Sequence, residues 1–414
     1  MRLASWAAGL GLALLAAIPA ANAAQPITIG FDIEETGSLA VNGKASLLAY
    51  KIWQQHVNEH GGLLGRPVKL VYYDDQSNPA LVPGIVTKLL DVDHVDFLLG
   101  ENGTNLIAPA MPIFIQHNLT MLSLFGLDVN KDFHYQHYFS MIPSGGLHPA
   151  QAMGGGFFKM AATMQPRPAT IALAGADNDF SIHGMDGARE LAKGMGLKIV
   201  YDHTYPPTTV DYSPIVRAIQ ATHPDLVFFA SYPADTVGIV RAVGEVGLKA
   251  RLFGGAMVGL QSTAIKQQLG PLLNGIEDYD FWLPVKNFAT PEALEFLKEY
   301  QPKAAAEHID PLGYYLPPFA YSDLQVLQQA IEGTKSLDQA KIADYLRTHT
   351  FHTIVGDVKF GPNGEWADPR VLAVQFQGVA GHAVDQFVNG KVETVLWPPQ
   401  YQTGTLQTPY ASKP

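Results

Sequence analysis

Residues 61–79, GGLLGRPVKLVYYDDQSNP, constrain the fold more than any other part of the chain. Gly61-Gly62 predicts a helix end, because glycine adopts positive φ at little cost. The β-prone stretch 68–73 predicts a strand, and Ser77-Asn78-Pro79 predicts the cap and first residue of a second helix. We assign Asp74-Asp75, which lie between them, to turn and cap chemistry. Helix, turn, strand and helix form half of an open α/β sheet, in which ligands bind beyond the carboxyl ends of the strands.

The amino terminus has the pattern of a secretory signal peptide. Arg2 is the only charge before Asp32, residues 3–18 form an apolar run, and Ala21-Asn22-Ala23 offers a cleavage site of the A-x-A type. The alternative is an uncleaved membrane anchor, although the run is short for a membrane-spanning helix. We therefore expect residues 1–23 to be a signal peptide and the mature protein to be exported.

The composition excludes several classes of function. The chain has no cysteine, so we expect no disulfide, no thiolate nucleophile and no cysteine metal site. Without Arg2, 26 basic residues stand against 38 acidic ones, a net charge of -12. Such a surface repels nucleic acid and anionic lipid head groups. The 14 histidines are scattered, and we expect neither a metal site nor a cofactor.

Catalytic motifs are missing from the sequence as well. There is no G-x-S-x-G nucleophile motif, no phosphate-binding P-loop, and no G-x-G-x-x-G after a strand. No histidine stands in a recognisable triad context. We therefore expect a binding protein rather than an enzyme.

Strands and helices alternate in two successive units, which predicts parallel sheets with right-handed crossovers. The first unit has expected strands at 27–33, 68–73, 95–99 and 120–124 and helices at 39–58, 79–91 and 105–118. The second has expected helices at 151–164, 185–195, 212–222 and 236–246 and strands at 169–174, 197–201, 226–230 and 252–253. Residues 291–349 are predicted to be mostly helical, 356–399 to form β-hairpins around Asn363-Gly364, and 400–414 to be a loose tail.

Four motifs resemble the periplasmic leucine/isoleucine/valine-binding protein family. They are the Thr36-Gly37 loop leading to Asn42-Gly43, residues 61–79, residues 100–109, and LVFFASYPADTVGIVRAVGEVGL at 226–248. The resemblance covers roughly residues 26–395. The sequence pattern is also similar to that of the family branch that carries solutes other than amino acids. It implies a periplasmic solute-binding subunit of an ABC importer, acting as a monomer with permease subunits in the inner membrane.

The resemblance also implies the fold, an α/β Venus flytrap of two lobes with three crossovers between them. Each lobe would be a mainly parallel sheet flanked by helices. Lobe one would comprise residues 26–142 plus 276–355, and lobe two residues 143–275 plus 356–399, followed by the tail 400–414. The ligand would lie in the cleft, and the lobes would close over it.

By the same resemblance, the first ligand contact is a hydroxyl residue before a lobe-one helix, and this position falls on Thr104. A glycine-containing loop at a helix N-terminus also favours a carboxylate on physical grounds, although Thr104 could simply cap the helix. In the next contact loop, from Ser123 to Leu127, amino-acid binders have a threonine where this chain has Leu127, and a small residue where it has Phe125. The alternative is that Phe125 and Leu127 only pack the lobe. Asn42 and Asn102 complete the lobe-one candidates.

Lobe two would contribute Phe180, where amino-acid binders have tyrosine, and Tyr232, which keeps the aromatic of the family or else packs at the hinge. The glutamate that pairs with a ligand ammonium in amino-acid binders falls near Ala256 and Met257, and residues 249–276 contain no acid. A buried ammonium without a counter-charge costs several kcal/mol. Glu34, Glu35 or Glu101 would have to replace it from lobe one.

We therefore expect the ligand to be a small apolar carboxylate, with an aromatic acid as the best candidate. A branched-chain or other neutral amino acid, or an amide, is the first alternative. A soluble periplasmic ligand sensor is the second.

Overall fold

The computed structural model describes residues 25–146 and 148–411, which form two α/β lobes. The expected signal peptide at residues 1–23 lies outside the described residues. Within the described ranges, no helix has the length and apolar character that a membrane crossing requires.

The strands and helices follow the expected alternation. The strands are β1 (Ile27–Ile33), β2 (Val68–Asp74), β3 (Phe97–Asn102), β4 (Met121–Phe125), β5 (Tyr138–Ser140), β6 (Thr170–Ala176), β7 (Lys198–Tyr205), β8 (Leu226–Ser231), β9 (Lys249–Ala250), β10 (Leu252–Met257), β11 (Ile276–Asp280), β12 (Thr350–Thr353), β13 (Gly356–Lys359), β14 (Leu372–Phe376), β15 (Glu393–Trp397) and β16 (Tyr410–Ala411). The α-helices are α1 (Ala40–Glu59), α2 (Val82–Asp91), α3 (Thr104–Gln116), α4 (Asn130–Phe133), α5 (Pro149–Thr163), α6 (Asp179–Gly194), α7 (Ser213–Ala221), α8 (Pro233–Val246), α9 (Thr263–Leu269), α10 (Pro291–Ala306), α11 (Leu316–Thr334) and α12 (Gln339–Thr348). Short 3-10 turns lie at Gly270–Leu273, Val384–Gln386, Val388–Gly390 and Pro399–Tyr401.

Each lobe is built on one sheet. The lobe-one sheet is entirely parallel, with strand order β2-β1-β3-β4-β5. The lobe-two sheet has the order β15-β14-β11-β10-β8-β6-β7, in which β14 pairs antiparallel with both β11 and β15, and the other neighbouring strands pair parallel. This architecture confirms the predicted two-lobed, mainly parallel α/β fold.

The chain crosses between lobes later than expected at the second and third crossovers. We expected lobe one to resume at residue 276, but β11 pairs with β10 and β14 in the lobe-two sheet. The sequence of Ile276–Asp280 does not indicate a buried strand, because it contains three acidic residues. In the structure these residues are nevertheless buried within the strand. Helices α10 and α11 then pack on α1 of lobe one. Since β13 pairs with β12 beside α11, the third crossover lies between β13 and β14 rather than at residue 356.

The segment between β2 and α2 contains the expected turn, but the helix begins later than expected. The carboxylate of Asp74 accepts hydrogen bonds from the backbone N–H groups of Glu35 and Thr36 at 3.1 and 3.2 Å. Asp75 accepts one from the N–H of Ser77 at 2.6 Å. The Asn78 side chain closes an Asx turn on the N–H of Ala80, so α2 starts at Val82 instead of Pro79.

The carboxyl-terminal segment is docked rather than loose. Strand β16 pairs antiparallel with β9, and the ring of Tyr410 is buried with its centroid 5.0 Å from that of Phe253. The side-chain amide of Gln375 donates to the carbonyl of Gln407 at 2.9 Å. These contacts attach the segment to β9, β10 and β14 of lobe two.

A buried ion pair joins helix α9 to strand β15 in lobe two. Lys266 Nζ lies 2.6 Å from Glu393 Oε2, and both side chains are 1% exposed. Burial opposes the charged form of Lys266, but the nearby carboxylates of Glu393 and Asp280 outweigh it and raise the pKa of the lysine. The ammonium therefore remains charged inside the lobe.

Candidate functional site

The carboxyl ends of β3 and β4 form one wall of the cleft. Asn102, the last residue of β3, pairs with Phe125, the last residue of β4. Gly103 follows with φ of 115°, a conformation that a side chain strongly disfavours, and this lets α3 begin at Thr104 directly after the strand. The amino-terminal end of a 13-residue helix therefore lies at the cleft.

A cavity lies between the lobes at this position. In this closed arrangement its volume is about 20 Å³, which is room for about one water molecule, so a larger ligand requires the lining groups to move apart. Its lining residues come from both lobes and from the segments that connect them: Asn102, Gly103, Thr104, Phe125, Leu127, Ile142, Met153, Phe180, Tyr232, Val258, Tyr279, Phe281 and Tyr315. None of these residues carries a charge at neutral pH, so no acid among the described lining residues faces the cavity.

The polar end of the cavity is rich in hydrogen-bond donors. Thr104 Oγ1 accepts a hydrogen bond from the N–H of Leu127 at 3.0 Å, which leaves the threonine hydroxyl proton to donate elsewhere. Asn102 is only 5% exposed, and its Nδ2 has no hydrogen-bond partner among the described residues. A buried donor without a partner is costly, so the Asn102 amide favours a ligand that brings a hydrogen-bond acceptor.

Aromatic rings form the remaining walls. The rings of Phe180 and Tyr232 stack with centroids 5.2 Å apart and planes 22° apart. From the other side, Phe125 meets Phe281 edge-on at 5.1 Å and Tyr315 at 5.6 Å. The cavity is therefore a ring-lined slot with one polar end.

Two hydrogen bonds join the lobes across the cleft. The Tyr232 hydroxyl donates to Asn105 Oδ1 at 2.6 Å, and a ring nitrogen of His183, on α6, lies 2.9 Å from the carbonyl oxygen of Leu127. Burial raises the pKa of Tyr232 well above its usual range, which keeps the phenol protonated and able to donate. The structure therefore represents the lobes in a closed arrangement.

Six of the expected site residues line this cavity, and four do not. Ser123 lies two residues short of the end of β4, and its hydroxyl is bonded to the carbonyl of Phe139 at 3.2 Å. Ala256 and Met257 lie within β10, which continues through Gly254-Gly255 instead of ending there. The reason is close backbone packing, since a Cβ at Gly254 would lie 1.6 Å from the carbonyl oxygen of Glu277. Asn42 lines a neighbouring cavity.

Comparison with known proteins places the chain in a family. The model of the periplasmic binding protein family matches residues 26–380. The chain belongs to the periplasmic binding protein family. It is 24% identical over 347 residues to the leucine-, isoleucine-, valine-, threonine-, and alanine-binding protein of Pseudomonas aeruginosa, covering 83% of this chain and 88% of that one. The resemblance to leucine/isoleucine/valine-binding proteins is thereby confirmed.

Two solved structures share the fold at low sequence identity. The branched-chain amino acid transporter substrate binding protein of Streptococcus pneumoniae, in complex with isoleucine, superposes with a TM-score of 0.72 at 19% identity over 93% of this chain and 100% of that one. A solute binding protein of an ABC transporter from R. palustris, in complex with 4-hydroxybenzoate, gives 0.72 at 20% identity over 89% and 95%. The periplasmic binding protein fold thus holds ligands of both chemical classes in these relatives.

Sequence reasoning missed the part of the cavity formed by the connecting segments. Tyr279 and Phe281 line it because β11 belongs to lobe two, and Tyr315 reaches it from the segment between α10 and α11. A signal was present, since the helical pattern is interrupted between Pro311 and Pro318.

The three glutamates considered as substitutes for an ammonium partner do not line the cavity. Glu34 and Glu101 are buried, and neither carboxyl oxygen of Glu34 has a hydrogen-bond partner among the described residues. Burial, and then the neighbouring acids, raise the pKa of both well above the usual range of a carboxyl group. Since burial disfavours their charged form and neither lines the cavity, these two carboxyl groups are poorly placed to pair with a ligand ammonium.

Metal binding finds no support among the residues that the structure describes, where no group of three or more His, Asp or Glu is arranged to hold an ion. His56 and His60 have the His-x-x-x-His spacing, but the ring nitrogens of His56 lie 2.9 Å from Tyr321 Oη and 2.8 Å from Glu299 Oε2. His56 therefore joins α1 to α10 and α11.

The buried acids make stability depend on pH. Burial raises the pKa of Asp323, which accepts a hydrogen bond from Tyr50, to about 8. Because an unfolded aspartate titrates near 4, the folded state holds an extra proton between roughly pH 4 and 8. Stability is therefore lost as pH rises through this window, by about 1.4 kcal/mol per pH unit.

We expect Asp323→Asn to remove this contribution while keeping an acceptor for Tyr50. Denaturant unfolding of both proteins at pH 5, 6 and 7 measures the effect. For each unit by which the pH rises, the free energy of unfolding of the variant should increase by about 1.4 kcal/mol relative to that of the native protein. Parallel pH profiles for the two proteins would show that Asp323 is ionised throughout.

Proposed function

We propose that this protein is the solute-binding subunit of an ABC importer and that its cleft captures a small aromatic carboxylate in the periplasm. Its family membership and its named relatives support the transport role. Permease subunits in the inner membrane are its protein partners under this proposal. One chain supplies both walls of the cleft, so a monomer is sufficient.

A single observation favours an acid over an amino acid, namely the combination of donors at one end and the lack of any acid in the lining. The hydroxyl of Thr104, the amide of Asn102 and the amino-terminal N–H groups of α3 are all donors. A ligand carboxylate accepts from such groups, whereas a ligand ammonium would find no counter-charge among the lining residues.

The aromatic walls favour a flat apolar body for the ligand. Burial of one aromatic ring removes roughly 150–250 Å² from water, which at about 25 cal/mol per Å² gives roughly 4–6 kcal/mol before the cost of association. Charge-assisted hydrogen bonds to the carboxylate add about 1.5–3 kcal/mol each. Binding with a Kd of about 1 μM, which corresponds to about -8 kcal/mol, is within reach of these contributions.

Calorimetric titration with a matched panel tests the proposal. Benzoate, 4-hydroxybenzoate, benzamide and leucine separate the carboxylate, the ring and the ammonium. We expect binding in the micromolar range for the two benzoates and at least tenfold weaker binding for benzamide and leucine. Tight leucine binding with no heat from either benzoate would assign the cleft to amino acids instead.

A further inference from the structure

A second cavity adjoins the ligand cleft and shares one wall with it. Its volume is about 10 Å³, which is room for about one water molecule or hydroxyl group. Asn42 on α1, Ser262 before α9, and Asp310 in the connecting segment are among its lining residues. Tyr315 lines both cavities, so the two adjoin at this residue.

Two buried polar side chains in this second cavity have no partner. Asn42 and Ser262 are each 3% exposed, and neither Asn42 Nδ2 nor Ser262 Oγ makes a hydrogen bond among the described residues. They belong to different lobes, so the two atoms approach each other only when the lobes are closed. Unpaired buried groups are rare in folded proteins and call for a partner.

Tyr315 is the residue that the two cavities share. The hydroxyl of Tyr315 lies 3.0 Å from the hydroxyl of Tyr279, and one hydrogen bond of this kind contributes only about 1 kcal/mol. Gly313, with φ of 64°, precedes it by two residues, and Tyr315 itself caps α11 with φ of -102° and ψ of -96°. The Tyr315 ring also packs against Phe125 and Phe281, with centroids 5.6 and 6.0 Å away. Its rotation would therefore open one cavity into the other only if the ring of an incoming ligand replaces these contacts.

The charge in the second cavity selects what would enter it. Asp310 accepts hydrogen bonds from the N–H and hydroxyl of Thr263 at 2.8 and 2.7 Å, and from the N–H groups of Leu312 and Gly313 at 3.1 Å each. Its carboxylate disfavours a second ligand carboxylate nearby. A neutral hydroxyl fits, because it accepts from Asn42 Nδ2 and donates to Ser262 Oγ or to Asp310.

We propose that the physiological ligand is an elongated aryl acid with a neutral hydroxyl at its far end, which displaces Tyr315 and is bound by Asn42 and Ser262. This inference rests on the proposed function, because it takes the carboxylate to be held at Asn102 and Thr104. It extends the binding site across both cavities and makes the distal hydroxyl a determinant of specificity.

The test compares 3-(4-hydroxyphenyl)propanoate with 3-phenylpropanoate, and 4-hydroxybenzoate with benzoate, by calorimetric titration. We expect the distal hydroxyl to improve the affinity of the longer acid at least fivefold in the native protein. Asn42→Leu and Ser262→Ala should each reduce that gain to less than twofold while leaving the Kd of benzoate unchanged. The unchanged benzoate Kd shows that each variant is folded, and two variants guard against misfolding of one.

Each outcome decides between the two proposals. If benzoate binds and the hydroxyl brings no gain, or if the gain survives both substitutions, the second cavity does not bind the ligand, and the proposed function stands. The same holds if benzoate binds and neither phenylpropanoate does. If no aryl acid binds, the proposed function fails and this inference fails with it.

Discussion

Replacement of Thr104 by valine is expected to weaken binding of an aromatic carboxylate by roughly 10- to 100-fold. The substitution keeps the shape of the side chain and removes the hydroxyl, whose oxygen already accepts from the N–H of Leu127. The hydroxyl proton of Thr104 remains as the hydrogen-bond donor that this side chain can offer to a ligand. A hydrogen bond to a charged group contributes about 1.5–3 kcal/mol, and each 1.4 kcal/mol changes Kd about tenfold.

Titration of benzoate into the variant measures this effect, and two further variants isolate its cause. Thr104→Ser keeps the hydroxyl and should keep an affinity within about threefold of the native protein. Ser123→Ala deletes a buried hydroxyl on the neighbouring strand that does not line the cavity, and should leave the Kd unchanged. Equal loss in the Thr104→Val and Ser123→Ala variants would trace the effect to general destabilisation.

Replacement of Lys266 by methionine is expected to lower the free energy of unfolding by about 3–5 kcal/mol, because it leaves the carboxyl of Glu393 buried without its partner. The second carboxyl near the lysine, that of Asp280, loses the same positive neighbour. The effect should appear as a shift of the guanidinium denaturation midpoint of the protein.

The matched control is an exposed ion pair of the same length. Lys298 Nζ lies 2.6 Å from Glu295 Oε2, but both side chains are 73% exposed. Lys298→Met should therefore change stability very little, because solvent screens such pairs. The double variant Lys266→Met/Glu393→Met should recover most of the loss, since apolar replacement of a whole buried pair is nearly neutral. A loss below about 1 kcal/mol in the single variant would contradict a desolvated ion pair.

The fold was largely predictable because its local signals agree with its tertiary structure. The strand at 68–74 and the turn after it follow from β-propensity and from the Asp-Asn chemistry of the turn. The boundary at residue 276 was wrong because β11 contains Glu277, Asp278 and Asp280, all buried. Only the neighbouring strands, which no local pattern reveals, make an acidic strand possible there.

The candidate site was predictable where a residue follows directly from the end of a strand. Thr104 and Tyr232 sit at such ends, and a strand end can be located from the hydrophobic run before it. Ala256 was misplaced because Gly254-Gly255 indicates a turn locally but permits close strand packing in the fold. Tyr315 was missed although the helical pattern is interrupted around it, because its place in the cleft depends on where the chain crosses between lobes.

Crystallography of the complex with 4-hydroxybenzoate tests the central claim most directly. The account predicts electron density for the ring between Phe180 and Phe125, with a carboxylate oxygen within about 3.2 Å of Thr104 Oγ1 or of Asn102 Nδ2. A ligand bound outside the cleft, or one with its carboxylate turned away from the start of α3, would contradict the account.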